Sequence, residues 1–231
     1  MYKWFDPDTA VLSVNYKDSK NLLCGIDISN WQRVIDLNAV DIDFAILKAT
    51  GGTGFLDPSF NRFANETLSG GRLLGFYHFA RDNGYKGSAK DEANFFYSNV
   101  KDYIGKGIPI LDWETDLNLG VSWVKEFLDT FYSLSGVKPL IYTSAYVTRQ
   151  YDWSPISQNG YKLWLAQYAS INPVNGHQTE VWVDGKGVGS FGNYVMHQYT
   201  SNGRLNGYNG ALDLDLFYGT ALDWKKLCEK S

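Results

Sequence analysis

The chain of 231 residues contains few of the residues that build disulfide scaffolds or metal clusters. Its two cysteines, Cys24 and Cys228, are too few for either, and we expect two reduced, buried thiols, with a Cys24–Cys228 disulfide as the alternative. The three histidines, His78, His177 and His197, lie far apart without ligand-like spacing. We therefore expect neither a metal site nor a cofactor.

Long apolar runs and clusters of basic residues are also missing. No segment has the roughly 18 consecutive apolar residues of a membrane-spanning helix. Lysine and arginine are scattered along a chain with a net charge of −4, so nucleic acid and membrane insertion are not expected. Residues 1–20 contain Asp6, Asp8 and Asp18 with only a short apolar patch, and thus do not look like a secretory signal peptide.

The chain is rich in apolar and aromatic residues. It is 44% hydrophobic and 16% aromatic, with 16 Tyr and 8 Trp, which suits one large domain and also a groove where sugar rings stack on flat side chains. No linker divides it. We predict an N-terminal extension over residues 1–20 and a single barrel domain over residues 21–231.

Short apolar runs alternate with amphipathic segments. Helices are predicted over residues 58–68 after Asp57, from Ser88 to about residue 100, and over residues 121–131. After the fifth strand the helical pattern fades, and residues 169–192 form a glycine-rich excursion. This alternation favours parallel strands and predicts an α/β fold, an irregular TIM-like (β/α)5(β)3 barrel. The predicted strands are 25–29, 44–50, 73–79, 108–114, 139–143, 163–167, 194–198 and 212–217.

The fourth predicted strand ends in two carboxylates separated by one residue, Asp112 and Glu114. Side chains alternate along a strand, so both point the same way, about 6 to 7 Å apart along the backbone. Two carboxyls in one site do not ionise equally, and a protonated acid beside an ionised partner is what glycosidic bond cleavage requires. The alternative is a strand end with two solvated acids.

Every predicted strand supplies a polar side chain toward its carboxyl end, the face where β/α barrels gather their active sites. The first and eighth strands are neighbours in a closed barrel, so we expect Asp27 and Asp213 to flank each other across the mouth from Glu114. In chain order these side chains are Asp27, Lys48 with Thr50, His78, Asp112 with Glu114, Tyr142, Gln167, Gln198, and Asp213 with Asp215.

At these residues the chain resembles glycoside hydrolase family 25, the Chalaropsis-type lysozymes. The resemblance covers about residues 24–217, and its motifs occur in the family's order. They are the strands 25–32, 44–50 and 75–81, the D-x-E segment 111–114, and the later strands 163–168, 197–200 and 212–215.

The resemblance implies a muramidase that hydrolyses the β-1,4 bond between N-acetylmuramic acid and N-acetylglucosamine in peptidoglycan. It implies Glu114 as general acid/base, supported by Asp27, Asp112 and Asp213. The residues themselves favour Glu114 as the protonated group, because its longer side chain lies nearer the strand end, and Asp112 as the ionised one. Asp215 is the alternative to Asp213.

Six further side chains are candidate substrate contacts, each with a structural role as its alternative. They are Lys48, His78, Trp113, Tyr142, Gln167 and Gln198.

One position departs from the family pattern. Many members have Glu after the second strand where this chain has Gly51, so a carboxylate near the substrate is expected to be missing. We expect a monomeric lytic enzyme of the phage endolysin type, synthesised in the cytoplasm and acting on the cell wall, or secreted by a route that the sequence does not reveal. The alternatives are a non-catalytic glycan-binding barrel and a chitinase-like glycosidase.

Overall fold

Eight strands close into a ring in the computed structural model, which describes residues 21–230. The ring order is β1-β2-β4-β5-β6-β7-β9-β10 and back to β1. Two further strands of two residues each lie beside this ring, where β3 pairs with β2 and β8 pairs with β9. All eight predicted strands are present, which confirms the α/β barrel. The strands are β1 (Leu23–Ile28), β2 (Phe44–Gly51), β3 (Phe55–Leu56), β4 (Leu73–Phe79), β5 (Gly107–Asp112), β6 (Leu140–Ser144), β7 (Leu163–Ala166), β8 (Val174–Asn175), β9 (Met196–Arg204) and β10 (Leu212–Phe217).

One strand of the ring runs against the others. The pairings from β1 through β2, β4, β5, β6 and β7 to β9 are parallel, whereas β10 is antiparallel to both β9 and β1. The expectation of parallel strands is therefore wrong for β10. The reason is the short connection over residues 205–211, because a return to parallel pairing needs a crossover of a dozen or more residues.

The three predicted helices are confirmed, and shorter ones cover the rest of the wall. In the second, the Ser88 hydroxyl accepts a hydrogen bond of 3.1 Å from the Asp91 backbone N–H, as the sequence indicates. The first begins slightly late, because Asp57 Oδ1 accepts from the Ser59 N–H at 2.8 Å and holds that segment in a turn. The helices are α1 (Phe60–Ser69), α2 (Ala89–Val100), α3 (Gly120–Ser135), α4 (Ala145–Gln150), α5 (Ser154–Ser157) and α6 (Ala221–Cys228).

The first β-to-β connection is less regular than predicted. Between β1 and β2 the structure has a single 3₁₀ turn, Asn30–Gln32, in place of a helix. The segment that follows buries Ile35, Leu37, Val40 and Ile42, whose spacing lacks the helical period. It covers the outside of the barrel as an irregular strap.

Alternation along the strands divides the core into two layers. In β2, Phe44 and Ile46 pack inside the barrel, whereas Ala45 and Leu47 pack outside against the helices. At the amino-terminal end of the parallel strands, the Trp224 ring from α6 lies 4.7 Å from the Phe44 ring and closes the interior. This packing fills the barrel interior at the amino-terminal end of the parallel strands.

Three further expectations concern the chain as a whole. Cys24 and Cys228 are not joined by a disulfide. Within residues 21–230, none of the helices has both the length and the apolar character needed to cross a bilayer. The predicted N-terminal extension, residues 1–20, lies outside the described residues, so the domain boundary stays a prediction.

Candidate active site

The open end of the barrel holds a cavity of about 310 Å³ lined mainly by polar side chains. They lie on the strands of the ring or just beyond them, above the apolar residues that fill the barrel interior. The lining residues are Asp27, Ser29, Trp31, Lys48, Tyr77, Phe79, Asp112, Glu114, Tyr142, Trp164, Tyr168, Gln198 and Asp213. Seven of the ten predicted site residues are among them.

Asp27 and Asp213 are directly opposite each other in the antiparallel pair β1–β10, and Glu114 lines the same cavity. Asp27, Asp213 and Glu114 are therefore close together, as expected, but the direction of β10 that brings Asp213 there was not expected. Because β10 is reversed, Asp213 reaches the mouth from the beginning of its strand and not from its carboxyl end. Only a reversed strand brings residue 213 beside residue 27.

Glu114 stands at the mouth, two residues beyond the last residue of β5. It is the most exposed of the cavity carboxyls, yet the surrounding protein removes enough water from its side chain to raise its pKa above the ordinary value, with Lys48 acting in the opposite direction. The backbone after Asp112 is held by a hydrogen bond of 3.0 Å from the Trp113 N–H to the Tyr142 carbonyl. Glu114 is therefore an acid with access to solvent, and the backbone that precedes it is anchored.

Asp112 lies deeper in the same wall and is only 7% exposed. Its Oδ1 has no hydrogen-bond partner among the described residues. Burial first, and then the neighbouring charges of Glu114 and Asp27, raise the pKa of Asp112 well above its ordinary value. This shift extends the protonated form of Asp112 to higher pH, the direction opposite to the ionised form expected from the sequence.

Gln198 connects three side chains of the cavity. Its Nε2 donates to Asp27 Oδ2 at 2.5 Å, and its Oε1 accepts from the hydroxyl of Tyr142 at 2.7 Å and from that of Tyr168. Burial raises the pKa of Asp27 to about 6, while the bond from Gln198 holds it down. The hydrogen bond donated by Gln198 therefore favours the ionised form of Asp27.

Asp213 and Asp215 differ in what they face. Asp213 lines the cavity, and burial together with the charges of Asp27 and Glu114 raises its pKa to about 8. Asp215 is completely buried behind it, where its Oδ1 accepts from Trp164 Nε1 at 2.9 Å. Burial and the neighbouring Asp27 raise the pKa of Asp215 well above the ordinary range. Asp213, and not Asp215, is placed to meet a ligand.

Lys48 is the cation of the cavity lining, and it is held from several sides. Its Nζ lies 3.3 Å from Asp82 Oδ2 and 4.8 and 4.6 Å from the ring centroids of Phe55 and Phe79. A Cβ at Gly51 would lie 2.2 Å from Asp82 Oδ2, so a side chain there would displace that carboxylate. The glycine that departs from the family pattern therefore makes room for a carboxylate from another loop.

His78 lies outside the cavity because it points to the other side of β4. It is fully buried, its Nδ1 is 2.8 Å from Thr50 Oγ1, and its Nε2 is 3.1 Å from Glu92 Oε2. Burial lowers its pKa. The inward residue of this strand is Tyr77, one position earlier, so the structural alternative describes His78.

Trp113 and Gln167 are likewise directed away from the cavity. Trp113 is fully buried outside the barrel, with its ring 5.5 Å from that of Trp153. The Gln167 side chain accepts from the Asp184 N–H at 3.4 Å and is absent from the cavity lining. Each has the opposite parity to the inward residues of its strand, so neither is placed to contact a ligand in the cavity.

Sequence reasoning missed several lining residues. Tyr77 could have been found by counting, since it shares the parity of Leu73 and Gly75, and the small residue at 75 marks the inward face. Tyr168 and Trp31 lie on connections after strands, where no alternation applies. Trp31 also lines the cavity, although it is 86% exposed.

A larger cavity, about 860 Å³, lies at the opposite end of the barrel beside α6. Its lining includes Leu23, Trp224 and Cys228, together with scattered charged residues. Buried carboxyls with raised pKa values converge at the smaller cavity, and chemistry outweighs volume as an indicator of an active site.

The chain is similar to several lysozymes and muramidases. Lysozyme M1 of Streptomyces globisporus is 27% identical over 215 residues, covering 85% of this chain and 68% of that protein. The N,O-diacetylmuramidase of Chalaropsis sp is 30% identical over 139 residues, covering 52% of this chain and 65% of that protein. The crystal structure of the bacterial lysozyme from Streptomyces coelicolor superposes with a TM-score of 0.68 at 25% identity, covering 89% of this chain and 96% of that one. The profile of the glycosyl hydrolases family 25 matches residues 26–208, and the chain belongs to this family.

Proposed function

We propose that the chain is a muramidase that hydrolyses the β-1,4 bond between N-acetylmuramic acid and N-acetylglucosamine in peptidoglycan. The observation that carries this proposal is the convergence of Glu114, with its raised pKa, and the carboxyls of Asp27, Asp112 and Asp213 on one open cavity. The family and its lysozyme and muramidase relatives support the choice of substrate.

Glu114 is the proton donor in this mechanism. Its raised pKa keeps the carboxyl protonated at a higher pH than an ordinary glutamate, and its position at the mouth allows it to reach the glycosidic oxygen. Protonation of that oxygen lets the bond break through an oxocarbenium-like transition state. The Glu114 carboxylate then accepts a proton from the water that completes hydrolysis.

Asp27 supplies negative charge to the transition state. It is held by the 2.5 Å hydrogen bond from Gln198, so its carboxylate is oriented before the substrate arrives and does not need to reorganise during the reaction. Tyr142 and Tyr168 fix Gln198 in turn. A sugar cation formed below Glu114 is then stabilised by an anion on the opposite wall.

Asp112 and Asp213 are proposed to orient the substrate. The raised pKa values of both groups favour the protonated form, which can donate a hydrogen bond to a neutral group such as the substrate's acetamido oxygen. Lys48, Tyr142 and Gln198 line the same cavity and are retained as substrate contacts.

The bond that is cleaved tests the proposed function. Purified cell walls are digested, the products are reduced with borohydride, and mass spectrometry identifies the sugar at each new reducing end. New ends on N-acetylmuramic acid support the proposal. New ends on N-acetylglucosamine would favour the chitinase-like alternative, and wall binding without new ends would favour a non-catalytic barrel.

Replacing Glu114 links that activity to this site. We expect Glu114→Gln to lower the rate of dye release from labelled walls by about 10²–10⁴-fold, because the amide cannot donate the proton, while the thermal unfolding curve is unchanged. The control is Glu180→Gln, an exposed glutamate outside the cavity lining, which should retain full activity. Unchanged dye release by Glu114→Gln would refute the assignment.

The biological setting is part of the proposal. We propose a monomeric lytic enzyme of the phage endolysin type, synthesised in the cytoplasm, whose partner is the glycan of the cell wall. The net charge of −4 and the scattered basic residues argue against nucleic acid as a partner. Sedimentation at several protein concentrations tests the monomer, and lysis assays on living cells test the lytic role.

A further inference from the structure

Trp31 is the most unusual side chain at the rim of the catalytic cavity. It lines the cavity, yet the residue is 86% exposed. Single exposed apolar residues are common on protein surfaces and need no explanation by themselves. This one differs from them in its position and in the way its backbone is held.

The turn that carries Trp31 is rigid. The Ser29 hydroxyl accepts from the Trp31 N–H at 3.2 Å, and Gln32 Oε1 accepts from the Ser29 N–H at 3.1 Å, which forms a capping box around the turn. The Asn30 N–H donates to Asp57 Oδ2 at 2.8 Å and ties the turn to the next loop. These hydrogen bonds hold the backbone of Trp31 in one conformation. For a residue that binds a ligand, such preorganisation lowers the entropy lost on binding.

The cavity is too small to hold a polymeric substrate, so part of the glycan must lie on the protein surface outside it. About 310 Å³ is at the lower end of the roughly 300–1,000 Å³ that small-molecule sites occupy, whereas the proposed substrate is a polymer. The glycan must therefore leave the cavity over its rim on both sides of the cleaved bond. Trp31 stands on that rim, four residues after Asp27.

We propose that Trp31 is a stacking platform for a pyranose ring of the glycan that lies outside the cavity, an inference that rests on the proposed function. The axial hydrogens of a pyranose form an apolar face that matches the flat indole, and tryptophan provides a large contact area with little side-chain entropy to lose. The indole N–H can donate to a sugar hydroxyl at the ring edge. This contact adds affinity for long strands without touching the reacting atoms.

Binding is measured without turnover, in the Glu114→Gln background. The probes are soluble glycan strands stripped of their stem peptides, and the tetrasaccharide cut from them. We expect Trp31→Ala to weaken binding of the long strands about tenfold, and Trp31→Phe to recover part of that loss. Binding of the tetrasaccharide should change less than binding of the long strands. Trp182→Ala is the matched control, because Trp182 is 51% exposed but does not line the cavity, and it should leave both affinities within about twofold.

The active enzyme gives a second reading of the same contact. With Glu114 intact, Trp31→Ala should raise the KM for long strands about tenfold and leave kcat within about twofold, because the lost contact is made equally in the ground state and the transition state. Equal unfolding temperatures of Trp31→Ala and the parent protein exclude a folding defect.

Two negative results are distinguishable. In the first, the protein with Glu114 intact cleaves walls, and the Glu114→Gln protein binds long strands equally well with and without Trp31→Ala. This result refutes the stacking platform and leaves the proposed function standing. If the parent neither cleaves walls nor binds the strands, the proposed function and this inference fall together.

Discussion

The two walls of the cavity solve the problem of buried charge in different ways. The wall built by the parallel strands β2 and β5 pairs acids with a cation, since Lys48 counteracts the rise in the pKa values of Asp112 and Glu114. The wall built around the reversed strand β10 and its neighbour β1 groups Asp27, Asp213 and Asp215, and two of these acids accept from neutral donors, Asp27 from Gln198 and Asp215 from Trp164.

This difference assigns different tasks to the walls. Glu114 on the parallel wall is exposed and can exchange its proton with solvent in each catalytic cycle. The acids around β10 are shielded: Asp27 raises the pKa values of Asp213 and Asp215, and Asp213 also raises that of Asp215, which disfavours ionisation of all three acids together. The site thus combines a mobile proton on one wall with a fixed, partly neutralised acid cluster on the other.

Among the tests of this comparison, the largest effect is expected from removing the charge of Asp27 on the shielded wall. Asp27→Asn should lower kcat/KM on cell walls by about 10²-fold or more, because the transition state loses its oriented anion. Asp102→Asn, at an exposed aspartate remote from the cavity lining, is the control and should behave as the parent. Activity of Asp27→Asn within threefold of the parent would show that another acid supplies the charge, and would remove the proposed division of tasks.

The next prediction is a smaller effect, on the free energy of unfolding, and it tests how much the burial of Asp215 destabilises the protein. The folded-state pKa of Asp215 is raised, so its contribution to stability is greatest below its unfolded pKa, about 4, and is lost as the pH rises through the folded pKa. Asp215→Asn keeps an acceptor for Trp164 Nε1 but cannot ionise. We expect it to stabilise the protein by about 1–3 kcal/mol at pH 8, with little change at pH 4.

Thermal and chemical unfolding at both pH values measure this effect. The matched comparison is Asp213→Asn, at a partly buried acid of the same strand, for which a smaller gain is expected. Destabilisation by Asp215→Asn at pH 8 would mean that the ionised carboxylate is better accommodated than the buried, cation-free wall implies.

The smallest effect is a shift of the pH–activity profile, and it should have opposite directions for two variants of the parallel wall. Lys48 lowers the pKa values of Glu114 and Asp112, so Lys48→Met should move the alkaline limb of the pH–activity profile to higher pH. Asp82 raises the pKa of Asp112 and holds Lys48, so Asp82→Asn should move that limb to lower pH. We expect shifts of about half a pH unit. Shifts of the same sign would contradict the proposed pairing.

Local patterns predicted most of the fold. Eight apolar runs and three amphipathic segments were enough to locate the barrel strands and the main helices, because burial on one or both faces of an element is written into consecutive residues. The D-x-E spacing likewise placed Asp112 and Glu114 on one side. Parity along β4 likewise predicts Tyr77, and not His78, as the inward residue.

Other features could not be predicted from nearby residues. The direction of β10 follows from the length of one connection, which can be judged only when the true end of β9 at Arg204 is known. The raised pKa of Asp112 depends on burial by elements that are distant in sequence. The room for Asp82 beside Lys48 depends on the close approach of Gly51 to a loop from the next strand.

The sequence alone determined the strands, the main helices and the alternating acids, since these depend on the periodicity of residues that are close along the chain. The tertiary structure decided which acids ionise and what holds them. Gln198 binds Asp27 across 171 positions of sequence, and the pKa of each carboxyl is governed by the solvent it loses and the charges it meets in space. Such quantities exist only when the barrel has closed.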